Sequence, residues 1–202
     1  MSATSHNNEV ILYATAEVGK AMYGMKYAIV GGAACAALGS ERFTEDIDLV
    51  VPRGETIAAR RRLQPNPRIT IDPRTRRTFF DSSVPIEILV PPAMFKGEFT
   101  DETPVIEIGG ASILKPTLLL NSKCGSIWQR AEENKKATDA YDIKFLLGWL
   151  ADADCLLLAG SQARAEVPNA TRDFVAAFTS KFGDAEIWVR AGLVFDEEEA
   201  TQ

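Results

Sequence analysis

Residues 27–34 read YAIVGGAA, residues 42–51 read RFTEDIDLVV, and these two segments set the structure of the first half of the chain. The apolar run before the two glycines is short and β-prone, which predicts a buried strand. Gly31 and Gly32 permit a tight turn and the close approach of a ligand to the backbone. The Ala-rich segment 33–38 predicts a helix whose first turn presents N–H groups to an anion. This order predicts a phosphate-binding turn.

The second segment predicts a strand over residues 46–51 that carries two carboxylates on one face. Asp46 and Asp48 point the same way because alternate residues of a strand share a face. Neighbouring carboxylates repel one another unless a cation lies between them. Mg²⁺, or Mn²⁺ in its place, accepts one or two carboxylates together with substrate phosphates. Alone, each motif is typical of an ordinary turn or a solvated strand end; together they predict metal-dependent transfer of a nucleotide or phosphoryl group.

The two glycines, the short helix and the R-x-T-x-D-I-D-L pattern of residues 42–49 resemble the DNA polymerase β-type nucleotidyltransferase superfamily. The branch that the pattern resembles is that of the nucleotidyltransferase-like toxins of type IV toxin–antitoxin (abortive infection) systems. The resemblance implies an α/β (α+β) fold with a mixed sheet flanked by helices, followed by a C-terminal helical bundle. It also implies metal ligands at Asp46 and Asp48, and nucleotide contacts at Gly31, Gly32, Arg42 and Thr44.

The family pattern needs a third carboxylate on a nearby strand, and Glu87 in the run VPIEILV (residues 84–90) offers one. A charged residue in an apolar strand is costly to bury without a partner, and a metal shared with Asp46 and Asp48 would supply one. The alternative is an outward-facing Glu on a half-exposed strand. Many family members carry Asp here and Ser at the second glycine. Contacts from Gly32 to a triphosphate would therefore rest on backbone N–H groups.

Four segments are predicted along the chain: a flexible leader at 1–9, an α/β core at 10–114, a helical region at 115–195 and an acidic tail at 196–202. Seven strands are predicted in the core, at 27–30, 46–51, 68–72, 78–81, 84–90, 105–108 and 111–114. Helices are predicted at 55–63 in the core, and at 117–133, 138–150, 173–182 and 185–191 in the helical region. By resemblance, Lys123 reaches the triphosphate and Asp142 orients a basic residue. The alternative is that both are cap and dipole partners near a helix start.

Charge is distributed unevenly along the chain, which has 202 residues and a net charge of −6. Residues 53–77 contain eight arginines opposed only by Glu55 and Asp72, a net charge of +6. This segment predicts contacts with a triphosphate or an RNA backbone. The alternative is a solvated helix followed by an exposed hairpin. The overall acidity argues against general binding to nucleic acid.

The remaining composition excludes several classes of protein. Because the only histidine is His6, a Ser-His-Asp triad and a multi-histidine metal site are not expected. Three cysteines without paired spacing, no apolar segment near 20 residues and no signal peptide predict a cytoplasmic protein. The predicted function is transfer of a nucleoside monophosphate from a nucleoside triphosphate to a hydroxyl on RNA such as tRNA, on protein or on a small molecule. The alternatives are a fold repurposed for a non-nucleotide metabolite and an inactive binding module.

Overall fold

The computed structural model describes residues 8–92, 95 and 97–195, and the chain divides into two units, Met1–Lys115 and Pro116–Gln202. The predicted leader and acidic tail lie outside the described residues, except that Asn8 and Glu9 belong to a helix. Within the described ranges, no helix is both long and apolar enough to cross a bilayer.

A seven-stranded sheet forms the centre of the first unit, in the order β3-β4-β5-β2-β1-β7-β6. Its strands are β1 (Ala28–Val30), β2 (Ile47–Val50), β3 (Ile69–Ile71), β4 (Thr78–Phe80), β5 (Val84–Leu89), β6 (Val105–Ile108) and β7 (Ala111–Leu114). The β1–β7 and β2–β5 pairs are parallel and the other four pairs are antiparallel. Each strand lies within its predicted segment, and the predicted mixed sheet is confirmed.

Three helices accompany this sheet: α1 (Asn8–Ala21), α2 (Gly31–Ala37) and α3 (Thr56–Leu63). No helix is predicted from the sequence where α1 lies. Its buried residues are Ile11, Ala14, Thr15, Val18 and Gly19. Their three- and four-residue spacing is that of an amphipathic helix. Three of the five are small or polar, so the hydrophobic periodicity of this helix is weak in the sequence.

The second unit is helical, as predicted. It contains α4 (Pro116–Ser126), a 3₁₀ turn (Ile127–Gln129), α5 (Glu133–Asp152), α6 (Gln162–Ala165), α7 (Arg172–Phe182) and α8 (Ala185–Arg190). Aromatic rings of α7 and α8 pack in its core, with the Phe178 and Trp188 centroids 5.5 Å apart. The α7 helix begins after Thr171, whose side chain accepts a 3.1 Å hydrogen bond from the Phe174 N–H.

The predicted helix over 117–133 is wrong in its second half, because α4 ends at Ser126. Arg130 has an extended backbone, with φ −67° and ψ 129°, so the chain leaves the helical path before α5 begins. This break lets the Arg130 side chain bond to Asp139 of α5. A tertiary ion pair therefore overrides a helical pattern that is continuous in the sequence.

We expect Gly19→Ala to lower the free energy of unfolding by about 1–3 kcal/mol, the usual range for overpacking. A Cβ atom at Gly19 would overlap the carbonyl oxygen of Gly110 and lie 2.9 Å from the Cα of Ala111, and backbone atoms there cannot move aside cheaply. The matched control is Gly148→Ala in α5, where the nearest atom would be Ile187 Cδ1 at 3.9 Å. The control should be neutral or stabilise by up to about 1 kcal/mol through helix propensity. Urea unfolding followed by circular dichroism measures both; equal stability of the two variants would contradict the packing argument.

Candidate functional site

The two predicted glycines lie at the junction of β1 and α2, where Gly31 has a φ of +65°. A side chain is disfavoured at this φ, and a Cβ atom at Gly31 would also overlap Asp48 Oδ2. The Asp48 carboxylate therefore packs directly on the glycine turn. The structure also corrects the predicted start of the helix, because α2 begins at Gly31 rather than at residue 33.

Arg42 and Thr44 lie against the second glycine. A Cβ atom at Gly32 would overlap Thr44 Oγ1 and lie 2.6 Å from Arg42 Nη2. Thr44 is buried, and its hydroxyl lies 3.5 Å from Asp46 Oδ1, a long hydrogen bond. The Arg42 Nη1 donates to the Phe43 carbonyl at 2.7 Å. The Thr44 hydroxyl therefore occupies the space into which a side chain at position 32 would project.

The strand register places Asp48 and Glu87 side by side. Asp48 of β2 pairs with Val30 of β1 on one side and with Glu87 of β5 on the other. Adjacent strands lie about 4.8 Å apart, and register partners of parallel strands share a face. Asp46 lies just before β2, and its Oδ1 lies 3.5 Å from the Thr44 hydroxyl, which packs on Gly32. Asp48 and Glu87 thus share one face of the sheet, and Asp46 lies beside the same glycine turn.

The three carboxylates differ in exposure. Asp46 and Asp48 are half-buried, whereas Glu87 is exposed and lies on the less buried face of β5. The Glu87 carboxylate forms no hydrogen bond or ion pair with any described residue. Glu87 is thus an outward-facing residue, as in the alternative prediction, and its register partner on β2 is Asp48. It is therefore accessible to a substrate at the edge of the candidate site.

The donor chemistry fits a hard divalent cation, although the side chains do not meet at one point. Among the residues that the structure describes, no three Asp, Glu, His or Cys side chains are close enough together to hold a metal. Mg²⁺ needs only one or two protein carboxylates when substrate phosphates complete its coordination. Two half-buried aspartates beside the half-buried glycine turn satisfy that requirement. The Mg²⁺ or Mn²⁺ site at Asp46, Asp48 and Glu87 stays a prediction.

Lys123 and Asp142, also predicted as site residues, form an ion pair inside the second unit. The Lys123 Nζ lies 2.8 Å from Asp142 Oδ2 and 2.6 Å from Asp139 Oδ1, and the Arg130 Nε lies 2.8 Å from Asp139 Oδ2. Asp142 is completely buried in the middle of α5, so the helix-start alternative is wrong for it. The predicted contact of Lys123 with a triphosphate stays a prediction.

Asp139 is the member of this network that was not singled out from the sequence. It precedes Asp142 by three residues, a spacing that places both on one face of α5. Burial alone would raise the pKa of Asp139, but Lys123 and Arg130 outweigh burial and lower it. Burial likewise would lower the pKa of Lys123, but Asp142 and Asp139 raise it. Both shifts keep the network charged at neutral pH.

No protein-family model matches the chain, and no curated protein matches it in sequence. Solved structures similar in fold include the following three. An antigenic nucleotidyltransferase-like protein from Paracoccidioides brasiliensis is 16% identical with a TM-score of 0.65, covering 98% of this chain and 99% of that one. A protein from H. pylori described as a candidate nucleotidyltransferase is 19% identical with a TM-score of 0.54, covering 96% and 93%. The Helicobacter pylori protein JHP933 is 18% identical with a TM-score of 0.54, covering 96% and 90%.

These structures confirm the predicted fold class. Together with the seven-stranded mixed sheet, they show that the chain has the α/β fold of nucleotidyltransferase-like proteins. At 16–19% identity, the likeness establishes the fold alone. Any activity must therefore be argued from the chain's own residues.

Proposed function

We propose that this chain is a metal-dependent nucleotidyltransferase, which moves a nucleoside monophosphate from a nucleoside triphosphate to a hydroxyl acceptor. The observation that carries the proposal is the contact of the Asp48 carboxylate with the Gly31 turn, with Glu87 as its register neighbour. A phosphate-binding turn and the carboxylates that would hold a metal are thereby adjacent in one fold. The likeness to nucleotidyltransferase-like proteins supports the same activity class at a coarser level.

In this proposal, the residues around the glycine turn hold the triphosphate. The missing side chains at Gly31 and Gly32 make room for Asp48, Thr44 and Arg42, and the backbone N–H groups of the turn would bind the phosphate oxygens. The Arg42 guanidinium and the Thr44 hydroxyl, which lie against Gly32, add charged and neutral donors. Pyrophosphate would leave on this side of the site.

The carboxylates act on the reacting oxygens. Asp46, Asp48 and Glu87 would hold Mg²⁺ or Mn²⁺, which when bound neutralises phosphate charge and lowers the pKa of the acceptor hydroxyl. Glu87, which is exposed, would accept the hydroxyl proton. The bond between the acceptor oxygen and the α-phosphorus forms as the bond from that phosphorus to the pyrophosphate oxygen breaks.

We also propose that the chain is one of the nucleotidyltransferase-like toxins of type IV toxin–antitoxin systems, which the residue pattern of 42–49 supports. A cytoplasmic location is proposed from the three cysteines without paired spacing. One observation favours a second candidate, a repurposed or inactive binding module. The side chains of Asp46, Asp48 and Glu87 do not gather into a three-ligand set within the described part of the chain. Nucleotide binding separates the proposed transferase from a fold repurposed for a non-nucleotide ligand, and transfer of the nucleotide separates it from an inactive binding module.

We expect at least one of ATP, GTP, CTP and UTP to bind with a Kd that depends on Mg²⁺. The reason is that the turn supplies phosphate donors while Asp46 and Asp48 need a cation to tolerate the triphosphate charge. Isothermal titration calorimetry in Mg²⁺ and in EDTA measures this, with the free nucleoside as the control ligand that lacks phosphates. Binding of no triphosphate, or equal binding of nucleoside and triphosphate, would overturn the proposed function.

A further inference from the structure

A cavity of about 480 Å³ lies between the end of α1 and the end of α3, within the first unit. We call it the α1–α3 pocket, after Lys20 of α1 and Arg61 and Arg62 of α3, which line it. Residues 65–68, which lead into β3, form its third wall. The two arginines belong to the basic segment 53–77, whose predicted contact with a triphosphate or RNA stays a prediction.

The α1–α3 pocket and the candidate site lie on opposite faces of the sheet. The Arg68 guanidinium, which lines the pocket, lies 4.6 Å from the Tyr13 ring centroid and 4.7 Å from that of Phe80. Phe80 is the register partner of Val84, so these two side chains share the face that α1 covers. Glu87 follows Val84 by three residues and therefore points to the other face. A ligand in the pocket would leave the predicted metal ligands uncovered.

The acid of the pocket does not neutralise its arginines. Glu17 is already satisfied, because the Lys20 Nζ donates to its Oε1 at 2.7 Å and the Asn66 Nδ2 donates to its Oε2 at 3.1 Å. These two bonds lower the pKa of Glu17. Arg61 forms no hydrogen bond or ion pair with the described residues, and Arg62 donates to a backbone carbonyl. Neither arginine has an acidic partner within the part of the chain that the structure describes.

An exposed aromatic residue, Tyr23, stands at the rim of the α1–α3 pocket. It is 85% exposed, although its backbone is held in an ordered turn. The preceding Met22 is fully buried, the following Gly24 has a φ of +76°, and the Tyr23 carbonyl accepts a 3.3 Å hydrogen bond from Arg62 Nη1. Tyrosine and arginine are the residue types most enriched at the energetic centres of protein interfaces. The turn therefore presents a fixed aromatic surface beside two arginines.

The donors of the pocket suit the carboxylates of a peptide better than a phosphate group. Phosphate sites commonly use convergent backbone N–H groups, whereas Pro65 and Pro67 of this pocket have none to offer. A compact phosphate in the pocket would also meet the Glu17 carboxylate. An extended acidic segment can instead place separate carboxylates on Arg61 and Arg62, each of which can bind one bidentately.

We propose that the α1–α3 pocket docks an acidic segment of a partner protein, with carboxylates on Arg61 and Arg62 and an apolar side chain on Tyr23. The partner lies on the α1 side of the sheet, so the opposite face stays open to substrates. Complementary charge at such a site mainly speeds association and selects the partner. Because the whole chain carries a net charge of −6, it repels an acidic segment over most of its surface and attracts it here.

The test uses a labelled synthetic peptide with three glutamates on each side of a leucine, titrated with the full chain at low salt and followed by fluorescence anisotropy. We expect K20Q/R61Q/R62Q to weaken binding roughly tenfold or more, because close charge pairs dominate such contacts. The control R53Q/R74Q/R77Q removes three cations from outside the pocket and should weaken binding less than about threefold. Circular dichroism confirms that both variants fold, as expected for exposed positions.

A second variant tests the aromatic contact separately from charge. Tyr23→Ala should weaken binding of the leucine peptide roughly fivefold, the scale of an interface anchor, and leave a peptide with glycine in place of the leucine unaffected. Equal effects on both peptides would overturn the assigned role of Tyr23.

Four outcomes would overturn the inference as a whole. The first two are no saturable binding of the peptide by the wild-type chain and equal losses in the two triple variants. Binding of single-stranded RNA that is lost in K20Q/R61Q/R62Q but kept in R53Q/R74Q/R77Q would assign the pocket to nucleic acid. Self-association of the wild-type chain in sedimentation that disappears in K20Q/R61Q/R62Q would assign it to a second copy. Calorimetry keeps the proposed function distinct, because the affinity of K20Q/R61Q/R62Q for nucleoside triphosphate should equal that of the wild type.

Discussion

Asp48→Asn should lower the rate of nucleotide transfer by roughly a hundredfold or more, the scale expected when a group that stabilises transition-state charge is lost. Asparagine has nearly the same shape as aspartate, so its packing on the Gly31 turn is kept. The change removes one negative charge from the face shared with Glu87, beside Asp46. Transfer should therefore fall while stability stays close to that of the wild type.

The measurement is incorporation of label from an α-labelled nucleoside triphosphate into total RNA, with Mg²⁺ titrated. The control is Asp101→Asn, which removes one carboxylate from an exposed position in the same unit. The control should retain the wild-type rate. A wild-type rate in Asp48→Asn would remove Asp48 from the chemistry and favour the repurposed fold.

Local pattern explains what could be predicted of the fold. The seven strands are short apolar runs bounded by turn residues, and each run carries its own signal. The order of the strands in the sheet has no such local signal, because β2 pairs with β5 across more than thirty residues of intervening chain. Helix α1 was missed because Ala14, Thr15 and Gly19 fill its buried face. Gly19 is needed there for close packing on Gly110, a tertiary requirement.

The residues of the candidate site also divide into those that a local pattern reveals and those that only the fold brings together. Gly31, Gly32 and the Asp46–Asp48 pair were found because a turn, a helix and a strand follow one another within twenty residues. The position of Glu87 beside Asp48 depends on a parallel register that the sequence does not encode locally. Whether an arginine of residues 53–77 is paired depends on the tertiary fold, because Arg68 bonds to Asp81 whereas the buried Arg60 Nε has no hydrogen-bond partner. Charge counting found the basic segment, but only the fold separates its paired arginines from its unpaired ones.

The buried ion network of the second unit gives the largest expected effect on stability. We expect Lys123→Met to lower the free energy of unfolding of this unit by about 3–5 kcal/mol, the usual cost of breaking a buried pair. Methionine fills a similar volume, but Asp142, which is fully buried, loses the ammonium 2.8 Å from its carboxylate. The control Lys136→Met breaks an exposed i,i+3 pair with Glu133 and should cost less than about 1 kcal/mol.

The pH dependence of this defect follows from the signs of the shifts. The pKa of Asp139 is lowered from 3.8, so its stabilisation is present above that pH and is lost as pH falls through the native value. The pKa of Lys123 is raised from 10.5, so its stabilisation is present below that pH and is lost as pH rises through the native value. The defect of Lys123→Met, measured by urea unfolding, should therefore shrink as pH falls below 3.8, because the wild type loses the same stabilisation there.

A second substitution separates the structural role of Lys123 from its predicted contact with a triphosphate. Lys123→Met/Asp142→Leu removes both the ammonium and the carboxylate that depends on it, while Arg130 still pairs with Asp139. Replacing a buried ion pair by apolar groups is often neutral, so stability should largely return. If triphosphate affinity returns with stability, Lys123 acts only by holding α4 against α5. If stability returns while the affinity stays low, the ammonium itself contacts phosphate. A double variant as unstable as Lys123→Met would refute the assignment of the defect to the lost Lys123–Asp142 ion pair.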